Sequence, residues 1–358
     1  MPTAVSRRRL LAGAGVLGAA AACGPAPAAA PDAGGSVATH GETQAGVDRP
    51  AAAQAHCDLS VWDMSTVDGV LGRLSERITA LTAGSDRLAG QPPAGLTVTV
   101  GVGPRIVRAA DPALPGGTDL PEFPGDRVDD RHRGGDLLLQ VCGDDPVVVA
   151  LAVTGLIGDR DLTLRWRQRA FHGPVRDDGA GRNLLGFVDG IVVPRGPAEL
   201  ARQVWLGDPR GATIAVVRRM RLDVAGFLAL PVAEQERVFG RRRDTGEPLS
   251  GGGPDAAVDL GAKTADGQYL VPADAHVRRA HPLTSGSGLM LRRSYNFDDG
   301  PGDQGLLFVS FQRDLRTFVA TQHRLAEGDA LLRFAITTAS ATFLVLPGFT
   351  RDRPLGLG

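Results

Sequence analysis

Asp136-Leu-Leu-Leu-Gln-Val-Cys-Gly-Asp-Asp145 and Gly305-Leu-Leu-Phe-Val-Ser-Phe-Gln-Arg-Asp314 follow one plan, an apolar strand, a polar turn and a helix-forming run, at an offset of 169 residues. About half of the folded body separates them, so the chain reads as two similar α+β domains with mostly antiparallel sheets. Working outward, residues 96–102 and 162–167 read as strands by β-branched content and period two, while 67–83 and 146–157 suit helices. Further on, 212–222, 306–311 and 335–346 read as strands, and 224–239 and 315–325 as helices. Pro194, Gly196 and Pro197 cluster where the two halves meet. The expected organisation is therefore 1–39 as a leader and spacer, 40–194 as the N-terminal domain and 195–358 as the C-terminal domain.

The leader is an address. Ser6-Arg-Arg-Arg-Leu-Leu11 matches the twin-arginine export pattern and opens an uncharged run that ends at Ala22. Such a run is shorter than the ~20 residues a permanent membrane helix needs. Cys23 closes Ala-Ala-Ala-Cys, so a lipid anchor there competes with plain cleavage near the Ala/Pro tract. Export to the periplasm, cell envelope or exterior is the expectation. Gly13-Ala-Gly-Val-Leu-Gly18 spells a dinucleotide fingerprint but follows no strand and lies inside the leader, so it carries no such meaning.

The composition of the 358 residues narrows the chemistry. A formal net charge of −1 and 5% aromatic content disfavour a nucleic-acid surface. The 39 basic residues include a single lysine, Lys263, which leaves one candidate for Schiff-base chemistry. No G-x-S-x-G elbow, phosphate-binding Gly-Lys-Ser/Thr loop or H-E-x-x-H helix occurs. Cys57 and Cys142 fit either a disulfide of an exported chain or two buried thiols. His276 and His281 are five apart, off the i, i+4 spacing of a zinc face. A haem needs only one axial histidine, because the porphyrin supplies four nitrogens. Two segments give a histidine and a carboxylate suitable surroundings: Arg182-Asn-Leu-Leu-Gly-Phe-Val-Asp-Gly-Ile191, and Asp274-Ala-His-Val-Arg-Arg-Ala-His-Pro282 followed by Leu289-Met-Leu-Arg-Arg-Ser-Tyr-Asn-Phe297.

In their order and spacing, the Asn-Leu-x-Gly-Phe-x-Asp-Gly run, the Asp-Ala-His-Val-Arg run and the Leu-Arg-Arg-Ser-Tyr run resemble the dye-decolorizing peroxidase family. The similarity is greatest to its twin-arginine-exported deferrochelatase/peroxidase branch. Gln44-Ala-Gly-Val47, Gly240-Arg-Arg-Arg-Asp-Thr-Gly-Glu-Pro-Leu249 and Phe308-Val-Ser-Phe-Gln-Arg-Asp314 support it, and the likeness spans roughly residues 40 to 350. Ile191 stands where a threonine is common, and Thr43 where a histidine is common.

The resemblance implies two ferredoxin-like domains arranged as in a dimeric α+β barrel, with a haem b pocket mainly in the C-terminal domain. It makes His276 the proximal iron ligand, Asp189 the distal acid/base and Arg292 the distal arginine. Gly190, Ile191, Val192, His281, Pro282 and Leu283 would line the haem, and Asp329 would accept the proximal imidazole N–H. The implied activity is reduction of hydrogen peroxide with oxidation of dyes, phenols or other small organic reductants. Two alternatives stand beside it: release of iron from haem with the porphyrin intact, and non-catalytic haem binding by a lipoprotein. Iron-uptake membrane partners and a homo-oligomer are also implied. Trp62, Trp166, Trp205, Tyr269 and Tyr295 are the Trp and Tyr candidates for passing electrons to large substrates, with core packing the simpler role for each.

Overall fold

The computed structural model describes residues 35–357 except 68, 85 and 177–179. The twin-arginine motif and Cys23 lie outside the described residues. In the first half, β1 (His56–Met64), α1 (Val70–Thr82), β2 (Thr97–Val102), α2 (Pro104–Ala110), β3 (Leu137–Gly143), α3 (Pro146–Leu156) and β4 (Leu162–Phe171) follow one another. Their strands stand in the order β2-β3-β1-β4, antiparallel throughout. With α2 as an addition, this is the ferredoxin-like β-α-β-β-α-β plan.

A hairpin of β5 (Gly181–Arg182) and β6 (Val188–Asp189) and helix α4 (Gly196–Gln203) lead into the second half. There β7 (Thr213–Leu222) is followed by four short helices, α5 (Val224–Leu228), α6 (Val232–Phe239), α7 (His276–Arg279) and α8 (Pro282–Ser285). The half closes with β8 (Leu291–Arg292), β9 (Tyr295–Asp298), β10 (Gln304–Gln312), α9 (Leu315–Ala326) and β11 (Ala335–Val345). The order β11-β7-β10, with β9 and β8 along the far edge of β10, repeats the plan of the first half. The two stretches that share the 169-residue offset occupy the same place in each half, β3 into α3 and β10 into α9. The Asp145 carboxylate accepts from the Val147 and Val148 amides to cap α3, and the Asp314 carboxylate accepts from the Arg316 amide to cap α9.

The halves join at both edges. β11 pairs with β2 at Leu344↔Val102 and Val345↔Gly101, and β4 meets β9 at Phe171↔Asn296. With β7 also paired to β10, eight strands form a closed antiparallel ring and β8 lies beside it on β10. Alternation along each strand then sorts the side chains. Leu59, Val61, Leu138 and Trp166 meet Val217, Phe297, Val309, Phe311 and Phe343 inside the ring, so both halves share that core. Outside the first half, Leu74, Ile78, Leu139, Val141, Val149 and Val153 fill the layer between the sheet and helices α1 and α3. Outside the second half, the layer between β7, β10 and α9 opens into a cavity instead.

Some local expectations change. The single helix expected over 224–239 is broken into α5 and α6, because Pro231 has no N–H to donate and cannot continue the first turn. Cys57 and Cys142 face each other across β1 and β3 as free, buried thiols, so of the two readings the structure holds the thiols. Trp62, Trp166 and Tyr295 are buried, whereas Tyr269 is 46% exposed.

Candidate active site

The Asp189 loop is built by local hydrogen bonding. The Asn183 side-chain oxygen accepts from the Leu185 and Phe187 amides, while the Phe187 carbonyl accepts from the Asn183 amide. The turn passes through Gly186 at φ +86° and leaves through Gly190 at φ +86°, a backbone region that favours glycine. Between these glycines Val188 and Asp189 form β6, in register with Arg182 and Gly181. The Asp189 carboxylate is thus held at the cavity wall, with its Oδ1 accepting from the Gly190 amide at 2.7 Å.

Arg292 reaches the same oxygen from β8, its Nη2 donating to Asp189 Oδ1 at 3.3 Å and its Nη1 to the Val192 carbonyl at 3.0 Å. Burial acts to raise the Asp189 pKa. The Arg292 charge, the Gly190 amide, the Arg292 hydrogen bond and the more distant His276 outweigh it and hold the carboxyl below its ordinary value. Asp189 is therefore a carboxylate at neutral and mildly acidic pH.

The second couple belongs to different elements. His276 opens α7, and its Nδ1–H donates to Asp329 Oδ2 at 2.6 Å. Asp329 is itself fixed: it caps the short helical turn Ala330–Phe334 by accepting from the Leu331 amide at 2.9 Å, and its side chain is fully buried. Burial pulls the His276 pKa down, but the Asp329 charge and hydrogen bond, with help from Asp189 and against Arg292, leave it raised. With Nδ1 committed to Asp329, Nε2 is the nitrogen left to serve as a ligand.

Both couples line one cavity of about 1680 Å³ of empty space, mouth included. Asp189, Gly190, Ile191, Val192, His276, His281, Pro282, Arg292 and Asp329 all border it. Leu283 does not border it: on α8 its side chain is 85% exposed and points to solvent, because consecutive residues of a helix are turned about 100° from one another and Pro282 takes the cavity side. Every lining residue falls between 183 and 335.

Other lining residues were not singled out from the sequence. Phe187 stacks on Phe239 with ring centroids 3.8 Å apart, and Phe239 meets the His276 ring edge-on at 6.0 Å, so aromatic packing ties the Asp189 loop to the His276 helix. Arg218 and Arg241 also face the cavity. Arg218 pairs with Asp126 and donates to Thr337, yet its Nε and Nη1 have no partner, and neither does Arg241 Nη2. A signal for Arg218 does exist in the sequence: it sits in phase with Val216 and Met220, on the face of a strand where apolar residues belong.

The cavity suits a flat, largely apolar group that takes one axial nitrogen from the protein and carries anionic edges. Buried, unpaired guanidinium N–H groups are costly unless an anion meets them, and a haem brings two carboxylates. The residues present therefore fit the expected haem.

Comparison with known proteins gives the class first: an oxidoreductase built of two related domains. The sequence model described as Dyp-type peroxidase, N-terminal, matches residues 44–172, and that described as Dyp-type peroxidase, C-terminal, matches 180–350. The chain belongs to the Dyp-type peroxidase family. It is 39% identical to a dye-decolorizing peroxidase of Thermobifida fusca, covering 75% of this chain and 68% of the relative. It is 31% identical to a deferrochelatase of Escherichia coli, covering 96% of this chain and 94% of the relative. The crystal structure of a DyP-type peroxidase from Streptomyces coelicolor superposes with a TM-score of 0.84 at 31% identity, over 90% of this chain and 96% of that one. The C-terminal match begins at residue 180, so the Asp189 loop falls within it.

Proposed function

We propose that this chain is a haem b-dependent peroxidase that reduces hydrogen peroxide at the expense of small organic reductants such as dyes or phenols. One observation carries the reading: an Asp–Arg couple and a carboxylate-backed histidine face the same cavity. His276 would hold the iron through Nε2, and Arg218 and Arg241 have the spare donors for the propionates. Bound there, haem supplies the redox-active iron at which the O–O bond of peroxide is broken.

The protein's own part is proton handling and charge. Asp189 starts as a carboxylate, takes the proton from the near oxygen of peroxide and returns it to the far oxygen, as general acid–base catalysis requires. Arg292 keeps Asp189 ionised beforehand and stabilises the negative charge that develops on the departing oxygen. Asp329 draws on the His276 N–H, fixes the ring orientation and makes Nε2 a stronger donor. The apolar wall of Phe187, Val258, Met290 and Phe308 limits water around these groups.

The test uses full-length protein loaded with haem. A Soret band, peroxide-dependent oxidation of a dye, loss of haem in His276→Ala and loss of turnover with haem retained in Asp189→Asn support the proposal. Undiminished turnover in Asp189→Asn and Arg292→Leu overturns the assigned roles. The long match to deferrochelatases supports a second reading, iron release from haem with the porphyrin intact, and metal-free protoporphyrin formed under reducing, anaerobic conditions is its readout.

Twin-arginine export, the Cys23 anchor, iron-uptake membrane partners and a homo-oligomer belong to the same proposal. Mass spectrometry of the mature N-terminus and analytical ultracentrifugation check the leader and the assembly.

A further inference from the structure

Behind Asp189 lies a second, smaller chamber, bordered by Ala53, His172, Arg293, Ser294 and Tyr295. Asp189, Gly190, Arg292, Asn183 and Leu306 border both spaces, so the distal couple is the wall between them. About 40 Å³ of the chamber is open to the centres of water molecules, room for roughly three or four at ~10–15 Å³ each.

Most polar groups around the chamber are already committed. The Asn296 amide bridges the Leu184 amide and the Arg182 carbonyl, and Arg293 donates to the carbonyls of Pro50, Ala51 and Ala52. His172 differs: both ring nitrogens are buried, and neither makes a well-formed hydrogen bond. The buried Tyr295 hydroxyl has the Cys142 thiol as its one side-chain contact, and the Tyr295 and His172 rings lie 4.5 Å apart. Gly181 of β5 presses against the imidazole, since a Cβ there would come within 3.2 Å of His172 Nδ1, so the ring has a fixed seat. Buried polar atoms with so few protein contacts, beside a space large enough for water, leave positions that water can fill.

We propose that this chamber holds a short chain of ordered water through which Asp189 exchanges protons with His172, making His172 a positioning residue for the protonation state of the distal carboxylate. The inference rests on the peroxidase reading above. One proton moves and no electrons do: protonated Asp189 and neutral His172 become the Asp189 carboxylate and the His172 imidazolium, and the reverse step returns the proton. The groups facing His172 set the balance. Burial and the Arg293 charge disfavour imidazolium, while Asp189 and a Ser294 backbone contact favour it, leaving the ring pKa at about 4. That is close to the range of an ordinary carboxyl, and Asp189 is held below its own ordinary value, so a proton on Asp189 passes to His172 more readily than it returns.

The test compares the haem-loaded full chain with His172→Gln, which keeps the chamber polar but takes up no proton, and His172→Phe, which fills it. In the wild type we expect a crystal structure to show water within hydrogen-bonding distance of both Asp189 and His172. We also expect the acid-induced change in the resting absorption spectrum to follow Asp189. His172→Phe should expel the water and move that change upward by 0.5 pH unit or more, because Asp189 loses solvation. His172→Gln should keep the water and raise the solvent deuterium isotope effect on the peroxide reaction at least twofold. Soret intensity and melting temperature should stay at wild-type values in both, which separates proton exchange from a structural role. A dry chamber in the wild type, or spectral midpoints and isotope effects unchanged in both variants, overturns the inference. Failure of the peroxidase reading is seen separately, as absent turnover in the wild type, whereas the water and the spectral midpoint are read without turnover.

Discussion

At the scale of single residues, the site is two charge couples with opposite tasks. Arg292 keeps a buried carboxyl ionised, and Asp329 makes a buried imidazole a better donor. Asp189→Asn should lower peroxide turnover by about 10²-fold or more with haem retained, the usual loss when a general acid–base group is removed. The pH dependence follows from the sign of the Asp189 shift. With Arg292 present the carboxyl protonates only below its ordinary value. In Arg292→Leu the upward push of burial is opposed only by the Gly190 amide and the more distant His276, so the acid limb of the residual pH–activity profile should move to higher pH. An unmoved limb would show that another group sets it. Asp329→Asn should weaken haem retention about 10–100-fold, measured by haem transfer to an apo-globin acceptor. Leu283→Ser should change neither haem binding nor turnover, since that side chain points to solvent.

At the scale of elements, the 169-residue offset proved a reliable guide because it rests on local chemistry. Each copy ends in an aspartate that caps the helix after an interior strand, Asp145 for α3 and Asp314 for α9. Asp145→Ala and Asp314→Ala should each cost about 1 kcal/mol of stability, read from denaturant midpoints. The strands were legible for the same reason, since period-two alternation in 96–102, 212–222 and 306–311 reflects a sheet with two distinct faces. The division of 224–239 into α5 and α6 was legible in principle at Pro231, but apolar spacing alone overlooks a missing N–H. The spacer-like stretch around 193–200 contains α4, and the cavity-lining helices α7 and α8 are four residues each, too short for any periodicity to reveal.

At the scale of the whole molecule, closure of the eight-stranded ring makes the halves interdependent. Leu59, Val61 and Leu138 from the first half pack on Phe297, Val309 and Phe343 from the second. Residues 40–194 expressed alone should therefore expose this inward face and the free edges of β2 and β4, and be recovered as aggregates or oligomers on size-exclusion chromatography. A soluble, folded monomer of that fragment would contradict the shared core. One connection, and not the closure, places the cavity in the second half. The long connection between β7 and β8 carries α5 to α8 over the outer face of the second half, where the first half has a filled layer.

The sequence by itself determined the alternation of strands and helices, the doubled plan, and the motifs that bear Asp189, His276 and Arg292, because each depends on neighbours a few positions away. Only the tertiary structure decided that Arg292 meets a carboxylate 103 residues distant and that His276 meets one 53 residues distant. It also decided that Arg218 and Arg241 keep buried N–H groups without partners, that the buried His172 ring has little more than a Ser294 backbone contact, and that Leu283 turns outward. Burial and partnership are properties of the closed barrel and its outer layer. No local pattern encodes them, because the groups that satisfy or orphan a side chain arrive from strands the sequence keeps far apart.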